Sequence, residues 1–170
     1  MANEVFEAAR TVLAVREFDD RDLQNGAVRR IAEAAHLTAS GGNRQPWHFV
    51  VVRKPDALRK LGSLVRTGPY TARAAAAVIV AYEKDSRIGV SDASRAIQSM
   101  ILTAWGEGIA SNWTGFGGLD NVREEFGIPD TYEVLAVVPF GYPKRNVIGK
   151  KKRKPFNEVV SAERFGRPLA

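Results

Sequence analysis

The chain has 170 residues, 45% apolar and 26% charged, with no cysteine. At one domain per ~150 residues this predicts a single domain over 1–170, able to bury its own core, and it excludes thiol redox chemistry, disulfides and Cys-ligated metals. The net charge of +6 is local: 144–154 holds seven cations and no acid, and the remaining residues carry 18 basic against 19 acidic side chains.

The first predicted helix, about Asn3 to Leu13, places Val5, Ala8, Ala9 and Val12 on one face. A polar break at Arg16–Asp22 follows, then a helix capped by Asn25 with Val28, Ile31, Ala32 and Ala35 at core spacing. The loop Thr38–Pro46 is built of small and polar residues and leads into a strand over His48–Arg53. Pro55 suits the first turn of a helix to about Val65, and Val78–Glu83 reads as a strand. Ser91 is the expected cap of the longest helix, whose apolar face runs Ala93, Ala96, Ile97, Met100, Ile101, Ala104, Trp105. A short strand over Ile109–Thr114, a glycine-rich turn at 115–118 and a short helix capped by Asp120 come next. Glu133–Phe140 is nearly all apolar and reads as a strand buried on both faces. The pattern predicts one domain of helices on a mixed sheet.

Nucleotide and hydrolase signatures are missing. Gly106-Glu107-Gly108 ends a helix instead of opening one, and neither a Walker-type Gly-Lys-Ser/Thr nor a Gly-x-Ser-x-Gly turn is present. The two histidines, His36 and His48, have no carboxylate placed to complete a metal triad. The longest apolar run, Ala74–Tyr82, is half of a membrane span of roughly 18 residues. The start of the chain lacks the basic-then-apolar order of a signal peptide, so the expectation is a cytoplasmic protein. Chemistry borrowed from a cofactor fits this inventory. In the loop Ala39–Trp47, small residues admit a planar ligand while Ser, Asn and Gln supply directional hydrogen bonds, though a tight helix-to-strand connection explains the same residues. The run Lys150–Lys154 suits a phosphate monoester, a polyanion or plain solvation.

The stretch Ala34–Val52, with Ser40-Gly41-Gly42-Asn43-Arg44-Gln45-Pro46-Trp47 at its centre, resembles the signature loop of the FMN-dependent nitroreductase family. Val15-Arg16-Glu17-Phe18, the helix at Ala96–Ala104 with Gly108-Ile109, Val122–Pro129, Val138–Pro143 and the basic tail ending in Lys-Pro match that family in order, over about Val5 to Arg164. The resemblance implies an α+β fold with a mixed or antiparallel sheet flanked by helices, in an intertwined homodimer with FMN in two interface clefts. Ile97, Met100 and Ile101 would supply much of that interface, and the arm 155–170 would pack on the partner subunit.

Carried over by position, Arg16 matches the cation at the flavin pyrimidine end, where positive charge stabilises the reduced, anionic form. Ser40, Gly41 and Asn43 match the loop reaching the flavin from the partner, with Gln45 supporting it. Thr114 and Gly115 match the turn whose backbone N–H faces flavin N5, and Lys151 and Arg153 the pair holding the phosphate. No side-chain nucleophile is implied. NAD(P)H would reduce the flavin, and a nitroaromatic, quinone or other electron-poor acceptor would then take the electrons in a ping-pong cycle. The chain departs from the family's Arg-Arg-Ser at Val12-Leu13-Ala14, losing a cation and a hydroxyl. Arg10, one helical turn back, and the dense Lys150–Lys154 run are the available substitutes; another flavin or a deazaflavin is the alternative. Two other readings remain: a flavin-binding relative without reductase activity, and a nucleic-acid-binding protein using Lys144–Lys154, which the near-neutral remainder of the chain disfavours.

Overall fold

Seven of the eight residues in β2 (Ala76–Glu83) are buried, and their pleat sets the architecture. Ala76, Val78, Val80 and Tyr82 face one layer of helices, while Ala77, Ile79 and Ala81 face the other. In the computed structural model, which describes residues 3–115, 118–147 and 149–169, β2 lies between β1 (Trp47–Val52) and β4 (Tyr132–Gly141). The two-residue β3 (Ala110–Ser111) follows on the outer side of β4. All three pairings are antiparallel, with Trp47 opposite Tyr82, Val78 opposite Val138 and Ala110 opposite Gly141. The expected α+β fold is therefore the one observed, in its antiparallel form. Among the described residues the bridge from Ala14 to Ser111 is the one parallel pairing.

The burial expected of the last strand holds because β4 is central, not because the sheet is parallel. A register shift beside Val80 and Ala81 lets Leu135 and Ala136 pack on the same layer, and alternation resumes with Val137 and Val138 on opposite faces. One layer is α2 (Asn25–His36) and α4 (Gly89–Gly106), whose Ile31, Ala35, Ile97 and Met100 meet Val78, Val80 and Val138. The other is α3 (Pro55–Leu64) and α5 (Asp120–Glu125), whose Leu58, Leu61 and Val122 meet Ile79 and Val137.

Several expectations need correction. Ile97 and Met100 have no exposed surface in a single chain, so they form intrachain core and not subunit interface; Ile101 is only partly buried. Asn25, Ser91 and Asp120 lie inside their helices: the cap positions are Gln24, Ile88 and Leu119, none with a side-chain cap bond. Asn25 Oδ1 instead accepts from the Arg53 guanidinium. The strand expected over 109–114 shrinks to Ala110–Ser111 plus a bridge from Thr114 to Val137. Residues 116 and 117 of the glycine-rich turn lie outside the described residues.

Two terminal elements leave apolar surface uncovered. Helix α1 (Glu4–Thr11) is capped by Asn3, whose Oδ1 accepts from Phe6 N at 3.1 Å, yet it buries no residue, and Val5 is 70% exposed. The last helix, α6 (Phe156–Val159), exposes Phe156 and Val159, and Phe165 beyond it is fully exposed. No helix among the described residues is long and apolar enough to cross a membrane.

Candidate functional site

Two groups of predicted site residues gather at the C-terminal end of α4, and a third lies at mid-sheet. The first lies beside the C-terminal turn of α1. Trp105, near the end of α4, donates its indole N–H to Thr11 Oγ1 at 2.9 Å and so fixes α1 there. Leu13 packs on Gly149, where a Cβ would come within 3.1 Å of Leu13 Cδ1, and this contact draws the basic tail onto α1. Lys151 then donates from Nζ to the carbonyl of Ala9, a cation on the negative end of the helix dipole. Loss of water pulls the Lys151 ammonium below the ordinary lysine value, and the nearby charges of Arg153 and Arg10 add to the shift. Arg10 is itself paired with Glu7, its Nε 3.1 Å from either carboxylate oxygen. Three cations thus converge, and Glu7 is the carboxylate paired with one of them. A doubly charged phosphate would offset the repulsion that adds to this shift.

The second group surrounds Arg16. Val15 N donates to Ser111 O at 2.9 Å, and Lys144 N donates to Glu17 O at 3.0 Å. Val15 and Phe18 are buried, which turns Arg16 and Glu17 outward. Phe18 lies so close to Gly141 that a Cβ there would sit 2.9 Å from its ring. Arg16 lines a cavity of about 480 Å³ with three further cations, Arg73, Lys144 and Arg145, and with Tyr70. Glu17 and Asp20 are its acids, and Arg145 lies 3.7 Å from Glu17. Asp19 is taken by Arg21, at 2.7 Å from Nε. Arg16 makes no ion pair among the described residues.

The third group is the turn after β3. Thr114 N donates to Val137 O at 3.0 Å, and Gly115 N donates to Thr67 Oγ1 at 3.1 Å. Both amides of the turn thus have acceptors within the chain. Thr67 Oγ1 also lies 3.2 Å from Thr114 Oγ1. Gly115 sits at φ +76°, a conformation glycine adopts without strain. Asn112, buried next to this turn, donates from Nδ2 to the Tyr70 hydroxyl.

The fourth group, the loop at 40–45, lies elsewhere. Asn43 and Gln45 adopt φ of 54° and 52°, in the left-handed region that non-glycine residues rarely occupy. The strain is held by internal bonds: Gln45 N to Ser40 Oγ at 2.9 Å, and Gln45 Nε2 to Asn43 O and Oδ1 at 3.2 Å. Gln45 thus braces Asn43. Gly41 N donates to Asp92 Oδ2 at 3.0 Å in the first turns of α4. Asp92 and Trp105 are about 20 Å apart along the helix at 1.5 Å per residue. Within one chain the loop and the first two groups therefore sit toward opposite ends of α4, and the Thr114–Gly115 turn lies between them at mid-sheet.

Sequence reasoning missed Thr67, Tyr70, Arg73, Asp92 and Asn112. Thr67, Tyr70 and Arg73 flank the short turn after α3, which carries no motif of its own, and the other two reach the site only through tertiary contacts.

The model of the nitroreductase family matches residues 10–86 and 68–142. A protein of Archaeoglobus fulgidus, named as a candidate NADH dehydrogenase/NAD(P)H nitroreductase, is 36% identical over 140 residues, covering 77% of this chain and 80% of its own. The crystal structure of a nitroreductase family protein from Clostridium difficile 630 superposes with a TM-score of 0.85 at 27% identity, covering 96% of this chain and 99% of its own. An FMN-dependent nitroreductase of Clostridium difficile R20291 shares the fold with a TM-score of 0.85 at 22% identity, covering 94% and 99%.

Proposed function

The chain belongs to the nitroreductase family, and from that premise we propose that this NAD(P)H-dependent oxidoreductase is a homodimer that binds FMN and passes electrons to a small electron-poor acceptor such as a nitroaromatic or quinone. The observation that carries the proposal is the separation along α4. Arg10, Lys151, Arg153 and Arg16 share one end, and the Ser40–Asn43 loop lies toward the other. A cleft that uses all of them needs two chains. The exposed apolar side chains of α1 and of the arm after Pro155 support the same assembly, because the described residues of the chain leave most of Val5 and Phe156 and all of Phe165 exposed. In this reading the arm 155–170 packs on the partner.

The residues present fit FMN. Arg10, Lys151 and Arg153 form a cluster short of negative charge, which would hold the phosphate although the family's Arg-Arg-Ser is absent. Arg16, beside a cavity with Tyr70 and Arg73, would hold positive charge at the pyrimidine end. The Thr114–Gly115 turn, braced by Thr67, would wall the ring, and the partner's loop would close over it with Ser40 and Asn43. Bound FMN would supply reversible two-electron chemistry at N5, so the chain needs no nucleophile or metal of its own. The protein's contribution is to bind, orient and set the local charge. The basic segment supports a phosphate role over a nucleic-acid one, since Lys151 folds back on α1 instead of projecting into solvent.

The test is direct. Purified protein should carry a flavin absorbance spectrum, release FMN on denaturation and bleach on NADH or NADPH. Equilibrium sedimentation at micromolar concentration should return a dimer. A colourless protein that takes up no added FMN, or a monomer, would refute the proposal.

A further inference from the structure

Asp92 is a carboxylate with 1% of its surface exposed, and no motif singled it out. Its Oδ2 accepts from the Gly41 amide at 3.0 Å, and its Oδ1 accepts from the Arg95 guanidinium. Four residues on from Arg95, Ser99 meets Thr38 Oγ1 at 2.8 Å, and Thr38 also donates to Ala34 O at 2.9 Å. Asp92, Arg95 and Ser99 recur at three- and four-residue spacing, so they form one polar stripe along α4. That stripe carries the start of the loop at two points. Gly41 must approach it closely: a Cβ there would lie 2.6 Å from Ile88 Cδ1. The bonds within the loop fix its shape, as Gln45 does for Asn43, but the bond to Asp92 ties its backbone to a rigid helix. Burying a carboxylate is costly unless it is paired and hydrogen-bonded, and here both of its oxygens are engaged.

We propose that Asp92 is a positioning residue for the flavin: through the Gly41 amide, and steadied by Arg95, it holds the strained Ser40–Asn43 loop in the pose it presents to the partner subunit's cofactor. The inference rests on the reading that this loop meets the flavin. A loop with two non-glycine residues in the left-handed region persists only where its surroundings over-determine it. Without the Asp92 anchor its conformations multiply, and each flavin bound must order it again.

The experiment is a double-mutant cycle in the full-length chain: Asp92→Asn, Asn43→Ala and the pair, each titrated with FMN by quenching of flavin fluorescence and each melted to check folding. Hydrogen exchange at the Gly41 amide is read in parallel without flavin. Asn43→Ala should weaken FMN binding about tenfold, the loss of one good hydrogen bond to a ligand. Asp92→Asn should weaken it by a similar factor and speed Gly41 exchange at least tenfold. The pair should be little worse than the weaker single variant, because both disable one loop. Unchanged FMN affinity in Asn43→Ala would overturn the loop's role at the flavin, and this inference with it. Normal affinity in Asp92→Asn beside a weakened Asn43→Ala, or effects that simply multiply, would overturn the inference alone. Should Asp92→Asn not fold, Arg95→Met, whose side chain is half exposed, is taken through the same cycle and judged by the same outcomes.

Discussion

Replacing Lys151 with methionine keeps the aliphatic stem and removes one charge from the cluster that would hold the FMN phosphate. The structure sets the size of the expected loss. Lys151 is already partly desolvated and repelled by Arg153 and Arg10, and its Nζ is held on the Ala9 carbonyl, so it is ordered before any ligand arrives. A charge-assisted hydrogen bond contributes about 1.5–3 kcal/mol, or about ten- to 150-fold in affinity, and partial exposure puts the expectation toward the lower end at physiological salt. FMN and riboflavin titrated side by side into wild type and Lys151→Met make the assay, since only FMN carries the phosphate. FMN binding should weaken and riboflavin binding stay nearly unchanged. The pH dependence has a definite sign. Binding the phosphate needs the protonated ammonium, whose pKa lies below the ordinary lysine value of 10.5. Wild-type affinity for FMN should therefore fall as pH rises through that lowered value, and Lys151→Met should remove that part of the dependence. Equal losses for the two flavins would refute the reasoning and return the basic run to a solvated or polyanion-binding role.

Three further outcomes follow from particular contacts. Arg16→Gln should lower the flavin reduction potential by tens of millivolts while FMN still binds, at about 30 mV per ~1.4 kcal/mol for a two-electron couple; an unchanged potential in loaded protein would detach Arg16 from the flavin. Gly68→Ala places a Cβ 2.3 Å from Thr114 Oγ1 and should cost roughly 1–3 kcal/mol in urea denaturation. Thr114→Ala in the same chain should recover part of the loss, and no recovery would mean the clash is not the cause. Tyr82 donates to Glu133 Oε2 at 2.8 Å, and its phenol is pushed up to about 12, by burial first and then by Glu133. A raised folded-state pKa stabilises fully below pH 10, and that contribution, roughly 3 kcal/mol, is lost between pH 10 and about 12. Tyr82→Phe should flatten that alkaline loss in denaturation curves taken at pH 9, 10 and 11, and parallel curves would exclude Tyr82 as its source.

What the sequence determined by itself was local. Period and composition suffice for α2, α4, β2 and β4, because each buries an apolar stripe whose spacing is written in consecutive residues. The loop Ser40–Asn43 was legible for a similar reason: glycine, serine and asparagine packed together before Pro46-Trp47 form a backbone-permissive, hydrogen-bonding segment wherever the chain goes next. Caps were not legible, since Asn25, Ser91 and Asp120 each satisfy the same local preference as a cap yet lie just inside their helices. Tertiary structure alone decided the rest. Whether Ile97 and Met100 face β2 or another subunit depends on which side of α4 meets the sheet, and an apolar face carries no label for its partner. The antiparallel order β1-β2-β4-β3 likewise rests on long-range pairing between β2 and β4. The cationic cluster formed because Leu13 meets Gly149, an apolar contact across more than a hundred residues that carries Lys151 to the carbonyl end of α1. Thr67 and Asp92 reached the site in the same way. A hydroxyl or a carboxylate takes a role from the atoms packed against it, and only the folded chain brings those atoms together.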